Sequence, residues 1–198
     1  VWVERGWEAK EVFREDFSSY ANVAAITDNW GLVDGNFTTD GAFFFDEGHT
    51  TGVNTYRKGD NDGNDELKAY SLQKINYNPN KIYEFEIRYK STDGQDDQIF
   101  FGFVGWASDG TTKISTNGTD SFGNAHYVVL NGVATSSDDN WRIARGYVSG
   151  YMRDGATATY GGDRPDPMNH ARAYQGVEFF SPYLIVNYEN EEGRMFID

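Results

Sequence analysis

Residues 83–90 alternate without a break. Tyr83, Phe85, Ile87 and Tyr89 fall on one side, and Glu84, Glu86, Arg88 and Lys90 fall on the other. That period of two predicts an antiparallel strand with one core face and one wet face. Asn78-Pro79-Asn80 supplies a turn just before it. Gln98 to Ala107 carries Phe100, Phe101, Phe103, Val104 and Trp106, and reads as a strand buried on both faces. Ala125 to Ala134 and Trp141 to Tyr151 predict two further strands, separated by the turn-forming run Ser136 to Asn140. Val177 to Tyr188 is the longest strand candidate. Glu189-Asn190-Glu191-Glu192-Gly193 reads as a hairpin turn from it into Arg194 to Asp198. Val12 to Phe17, Gly41 to Phe45 and Leu67 to Ile75 read as shorter strands.

No segment keeps a helical period between caps. Several short strands with turn signals between them predict an all-β antiparallel sandwich or barrel. Residues 1–10 read as a first strand or a linker, and residues 11–198 as one domain. Gly155 to Ala173 is rich in Gly, Asp and Pro and reads as a long loop. The chain lacks an initiator Met and stops inside the expected strand at Met195-Phe196-Ile197-Asp198, which reads as a portion of something larger with its last strand truncated.

Composition fits this outline. Aromatic residues make up 16% of the 198 residues while only 38% are hydrophobic, so rings carry much of the surface available for burial. The 22 glycines against 4 prolines leave most turns to Gly, Asn and Asp. A formal net charge of −14 repels phosphate backbones and anionic bilayers, which argues against nucleic-acid partners and membrane insertion. The absence of Cys removes disulfides, thiol catalysis and thiolate metal sites.

Residues 75–198 resemble β-sandwich carbohydrate-binding modules, in particular those of phage tail and other virion appendage proteins, and also those attached to polysaccharide-degrading enzymes. The likeness rests on Asn78-Pro79-Asn80-Lys81-Ile82-Tyr83, on Trp141-Arg142 followed by Arg145-Gly146-Tyr147-Val148-Ser149-Gly150, and on Phe179 to Tyr188 closing in Met195 to Asp198. A weaker echo lies at Phe13-Arg14-Glu15-Asp16-Phe17. The resemblance implies a jelly roll. It also implies a structural Ca²⁺ between the first and last strands, held by Glu15, Asp16 and Asp198, oxygen ligands of the kind that ion requires. The acidic run Asp60 to Glu66 has its Gly too early for an EF-hand loop and reads as a solvated turn.

A sugar presents C–H faces to flat rings and hydroxyls to polar groups, so a glycan site pairs the two. The candidate rings are Trp106, Trp141, Tyr147, Tyr151 and Tyr183, with His126, Arg142, Arg145 and Asn187 as polar partners. Alternation puts Arg145, Tyr147 and Tyr151 on one side of their strand, and Tyr183 with Asn187 on one side of theirs. Any one ring of this kind is more often core than ligand platform.

Catalysis finds less support. Glu84 and Glu86 share a face with Arg88 and Lys90, a balanced solvent-facing surface rather than a hydrolase pair. His126, Tyr127, Arg142, Arg145 and Gln98 are residue types a polysaccharide lyase uses, but they stand in no lyase motif. No nucleophile elbow, zinc-protease motif or phosphate loop occurs. Asn36-Phe37-Thr38 and Asn117-Gly118-Thr119 fit the glycosylation pattern, which matters only in a eukaryotic secretory setting. The expectation is a non-catalytic carbohydrate-binding module on a virion surface or outside the cell, with a glycan or polysaccharide as partner. A self-assembling domain of a fibre or tail, with homo-oligomers, and an accessory module of a degrading enzyme are the alternatives.

Overall fold

The computed structural model describes residues 9–17, 20, 23–34, 44–45, 54–57, 67–93, 98–114, 126–134, 140–152, 171–188 and 194–197. A short helix, α1 (Val23–Ile26), precedes β1 (Trp30–Asp34), β2 (Phe44–Phe45), β3 (Asn54–Arg57), β4 (Leu67–Ser71) and β5 (Ile75–Asn76). The long alternating segment is β6 (Tyr83–Asp93), followed by β7 (Gln98–Trp106), β8 (Lys113–Ile114), β9 (His126–Ala134) and β10 (Arg142–Tyr151). The chain closes with β11 (Ala171–Ala173), β12 (Phe179–Tyr188) and β13 (Arg194–Ile197). Among the described residues no helix is long and apolar enough to cross a membrane.

The strands form two sheets, the all-β jelly-roll sandwich that the alternation and the resemblance imply. One sheet runs β1-β4-β12-β7-β8, with β5 also paired to β12 and β9 to β7; the other runs β11-β10-β6-β13-β3-β2. The described pairings are antiparallel apart from β10 with β11.

The inward halves of the alternating strands meet between the sheets. Phe85, Ile87 and Tyr89 from β6 face Ile99, Phe101 and Phe103 from β7 and Phe180, Leu184 and Val186 from β12. Phe85 stacks on Phe103 at 5.7 Å between ring centroids and meets Phe101 edge-on at 6.1 Å. Each ring buries a large apolar area, so a few of them fill the layer between the sheets. The strands buried on both faces add a second cluster. Val104, Trp106, Tyr183 and Ile185 pack on the outward side of the seven-stranded sheet with Tyr70, Phe100 and Phe179.

Four elements differ from the expectation. Val12 to Phe17 is not a strand, because Phe17 takes a left-handed backbone with φ of 54° that ends any extended run. Leu67 to Ile75 splits into β4 and β5. β12 and β13 are not the two arms of a hairpin: they lie in different sheets, and β13 pairs with β6 on one side and β3 on the other. The end of the expected loop 155–173 holds β11, which adds to the edge of β10. Residues 1–8, the acidic run 60–66, Asn36, Asn117 and Asp198 lie outside the described residues.

Candidate functional site

β6 and β10 pair in a register that sets Ile143 opposite Arg88, Arg145 opposite Glu86 and Tyr147 opposite Glu84. Their partners at even positions of β10 and odd positions of β6 face the core. The outward surface of these two strands is therefore a continuous strip of Glu84, Glu86, Arg145, Tyr147, Ile143 and Trp141. The Tyr147 hydroxyl donates to Glu84 Oε2 at 2.8 Å. The Arg145 Nε–H donates to Glu86 Oε2 and lies 3.6 Å from Glu84 Oε1. These bonds hold Arg145 protonated beyond its ordinary range, chiefly through Glu86, and push the Tyr147 hydroxyl pKa up, chiefly through Glu84. At the other end, Trp141 lies beside the basic half of β6, with Arg88 Cζ at 4.4 Å and Lys90 Nζ at 5.4 Å from its ring centre. Ile143, 55% exposed, sits between the two groups.

This arrangement offers two half-exposed rings, Trp141 just before β10 and Tyr147 within it, six residues apart, or roughly 20 Å at the usual rise of a strand. Between them lie an exposed apolar side chain, a guanidinium and two carboxylates whose orientation is fixed by neighbours. A linear, hydroxyl-rich polymer can lie along such a strip. Its C–H faces would meet the rings and its hydroxyls would meet Arg145, Glu84 and Glu86.

The other expected site residues go elsewhere. Tyr151 turns to the core instead of joining Arg145 and Tyr147, and its hydroxyl donates to the Val177 carbonyl at 2.7 Å. The reason is Gly150, whose φ of 68° accompanies a register shift between Val148 and Tyr151 and inverts the alternation there. Arg142 leaves the Arg145 face as well; its Nη1 donates to the Asn140 carbonyl at 3.2 Å.

His126 is buried, stacked on Phe103 at 4.3 Å, and its Nε2 accepts the Tyr174 N–H at 3.1 Å. Burial pushes its pKa down to about 3, so it is a neutral core residue and not a hydroxyl-binding one. Trp106 and Tyr183 are both buried in the outer cluster of the seven-stranded sheet, on the opposite side of the sandwich from Trp141. Trp106 donates through Nε1 to Ser181 Oγ at 3.1 Å, with Lys74 Nζ 4.7 Å from its ring centre. The Asn187 side chain lies outside the described set.

Glu15 is a bracket. Its Oε1 accepts the Phe17 N–H at 2.8 Å, and its Oε2 accepts the Tyr20 hydroxyl at 2.6 Å and the Trp30 indole N–H at 3.2 Å. Three of the carboxylate's acceptor sites are thus taken by protein donors. Asp16 lies 3.9 Å from Arg14 Nε. Among the described residues no three His, Cys, Asp or Glu side chains converge as a metal site. Glu15 is thus engaged by three donors, and Asp198, the third ligand that the resemblance implies, lies outside the described residues.

No protein-family model matches the chain, and no curated protein is similar to it. Among solved structures it is similar to a non-crystalline cellulose specific carbohydrate-binding module, CBM28, at 10% identity and a TM-score of 0.38. That likeness covers 87% of this chain and 86% of that one. At so low a score, the function has to be argued from this chain's own residues.

Proposed function

We propose that the chain is a non-catalytic glycan-binding module whose binding surface is the outward strip of β6 and β10. One observation carries the reading: Arg145 and Tyr147 emerge on the same face of β10, with Glu84 and Glu86 held beside them by hydrogen bonds and Trp141, just before the strand, against the basic half of β6. The carboxylates are engaged by Arg145 and Tyr147, an arrangement suited to accepting hydroxyl protons and not to opening a glycosidic bond. Such a surface acts where polysaccharides are met, outside a cell or on a virion.

Binding of the purified chain to a panel of soluble polysaccharides, by affinity electrophoresis or calorimetry, tests this. Trp141→Ala and Tyr147→Ala should each weaken the best ligand about tenfold or more, the usual cost of removing an aromatic anchor. Both residues lie on the outside of the sheet, so the melting transition should stay close to that of the parent. Parent-like affinity in both variants would overturn the reading. A chain that ignores every glycan and self-associates through Trp141 would replace it with an assembly role.

A further inference from the structure

We propose that a cleft at the end of the seven-stranded sheet is a separate binding site, for a single neutral sugar or a comparably hydroxyl-rich small molecule. The cleft has a volume of 340 Å³ and lies between the segment Phe13–Asp16, the turn at Asn29 and the β4–β5 connection at Ser71 and Gln73. That volume sits at the lower end of the range for small-molecule sites, room for a small ligand and not for a polymer. It is remote in sequence from the strip on β6 and β10, and the inference does not depend on that strip.

The floor is pre-organised. Glu15 is fixed by Phe17, Tyr20 and Trp30, and Asn29 hydrogen-bonds the Tyr20 side chain in turn. The Asn29 carbonyl accepts the Leu72 N–H at 2.7 Å, which ties the turn to the β4–β5 connection. Phe13 forms an apolar wall, braced edge-on against Trp30 at 6.4 Å. Above this floor rise the exposed side chains of Arg14, Asp16, Asn29 and Gln73. They offer both donors and acceptors around one ring, which is what a sugar hydroxyl array requires.

Charge selects a neutral ligand. An anion would meet the Glu15 and Asp16 carboxylates. A cation would meet Arg14 and the donors already aimed at Glu15. A neutral polyol meets neither conflict, since each hydroxyl both donates and accepts.

Trp30 provides the reporter, because its indole N–H donates to Glu15, a residue of the cleft floor. The test titrates ¹⁵N-labelled protein with the methyl glycosides of glucose, galactose, mannose and N-acetylglucosamine, following the indole resonances of the 5 tryptophans. At least one glycoside should shift the Trp30 signal saturably. Gln73→Trp, which fills the cleft, should abolish the shift, and Gln73→Ala should weaken the affinity several-fold. Trp141→Ala should leave it unchanged. Gln73 serves the fold through its backbone, the N–H donating to Ser71 Oγ and the carbonyl accepting from Ser181 Oγ, so both side-chain variants should fold. A Trp30 signal unmoved by every glycoside, or a saturable shift that survives Gln73→Ala at full affinity, overturns the cleft. Either result leaves the strip on β6 and β10 to be judged by its own polysaccharide assay.

Discussion

At the scale of residues, two polar side chains, one part-buried and one buried, set testable properties. Glu15 satisfies one backbone and two side-chain donors at once, and hydrogen bonds to a charged group contribute more than neutral ones. It also holds Phe17 in its left-handed turn, where the ring is buried and stacks on Trp30 at 5.6 Å. Glu15→Gln turns an N–H₂ group toward donors that need an acceptor. It should lower stability by about 2–3 kcal/mol, read from a urea midpoint. Chelator should leave the melting temperature of the parent unchanged, since donors and not a cation satisfy this carboxylate. A drop on adding chelator would show that the chain binds a stabilising ion after all.

His126 has the opposite character: a neutral base in the core, with no hydrogen-bond partner at Nδ1. Its folded pKa, near 3, lies below the ordinary 6.5, so between those values the unfolded chain takes up a proton that the folded chain refuses. The unfolded state binds more protons there, and this residue's effect is to lower stability progressively as pH falls from about 6.5 toward 3. His126→Gln should flatten that part of a stability–pH curve. An equal slope in parent and variant would remove His126 as the cause.

At the scale of elements, the legible strands were those whose two faces differ in polarity. β6 stood out because Tyr83, Phe85, Ile87 and Tyr89 must meet the opposite sheet while Glu84 and Glu86 must not. β7, β9, β10 and β12 were legible from their length and apolar content. Short partners such as β3, β8 and β11 carry little apolar pattern; their existence depends on an available strand edge, which no local sequence encodes. For β13 the strand itself was legible, but its partners were not, since they lie in the other sheet from its neighbour β12.

The strip Arg145–Tyr147 was visible in the alternation, and the misplacement of Tyr151 came from one left-handed glycine within the strand. Trp106 and Tyr183 belong to strands that are apolar on both faces, a pattern that points to cover on the second face without saying which rings that cover reaches.

Gly146 makes a further demand on β10. A Cβ there would stand 2.9 Å from the Val128 carbonyl carbon and 3.1 Å from Val129 Cα, backbone atoms of β9 in the facing sheet. Backbone cannot step aside as a flexible side chain can. Gly146→Ala should therefore cost 2 kcal/mol or more, at roughly the upper end of overpacking penalties. A denaturation midpoint matching the parent would mean that the sheets separate locally without strain.

At the scale of the whole molecule, the two faces of the sandwich and the net charge act together. The formal charge of −14 surrounds a strip whose own groups, Glu84, Glu86, Arg145, Arg88 and Lys90, nearly balance. A neutral polysaccharide approaching that strip feels little of the surrounding field, because it carries no charge for the field to act on. An anionic polysaccharide is repelled over a distance set by the Debye length, about 30 Å at 0.01 M salt and about 10 Å at 0.1 M. The two ligand classes therefore differ in sign of response. Affinity for a neutral glycan should stay nearly constant as sodium chloride rises across that range, whereas any binding to a uronic-acid polymer should strengthen as the repulsion is screened. Calorimetric titrations at the two salt concentrations decide the matter. Affinity that falls steeply with salt would require attraction between opposite charges, and would move the contact from the balanced rings and carboxylates of the strip to Arg88 beside Trp141.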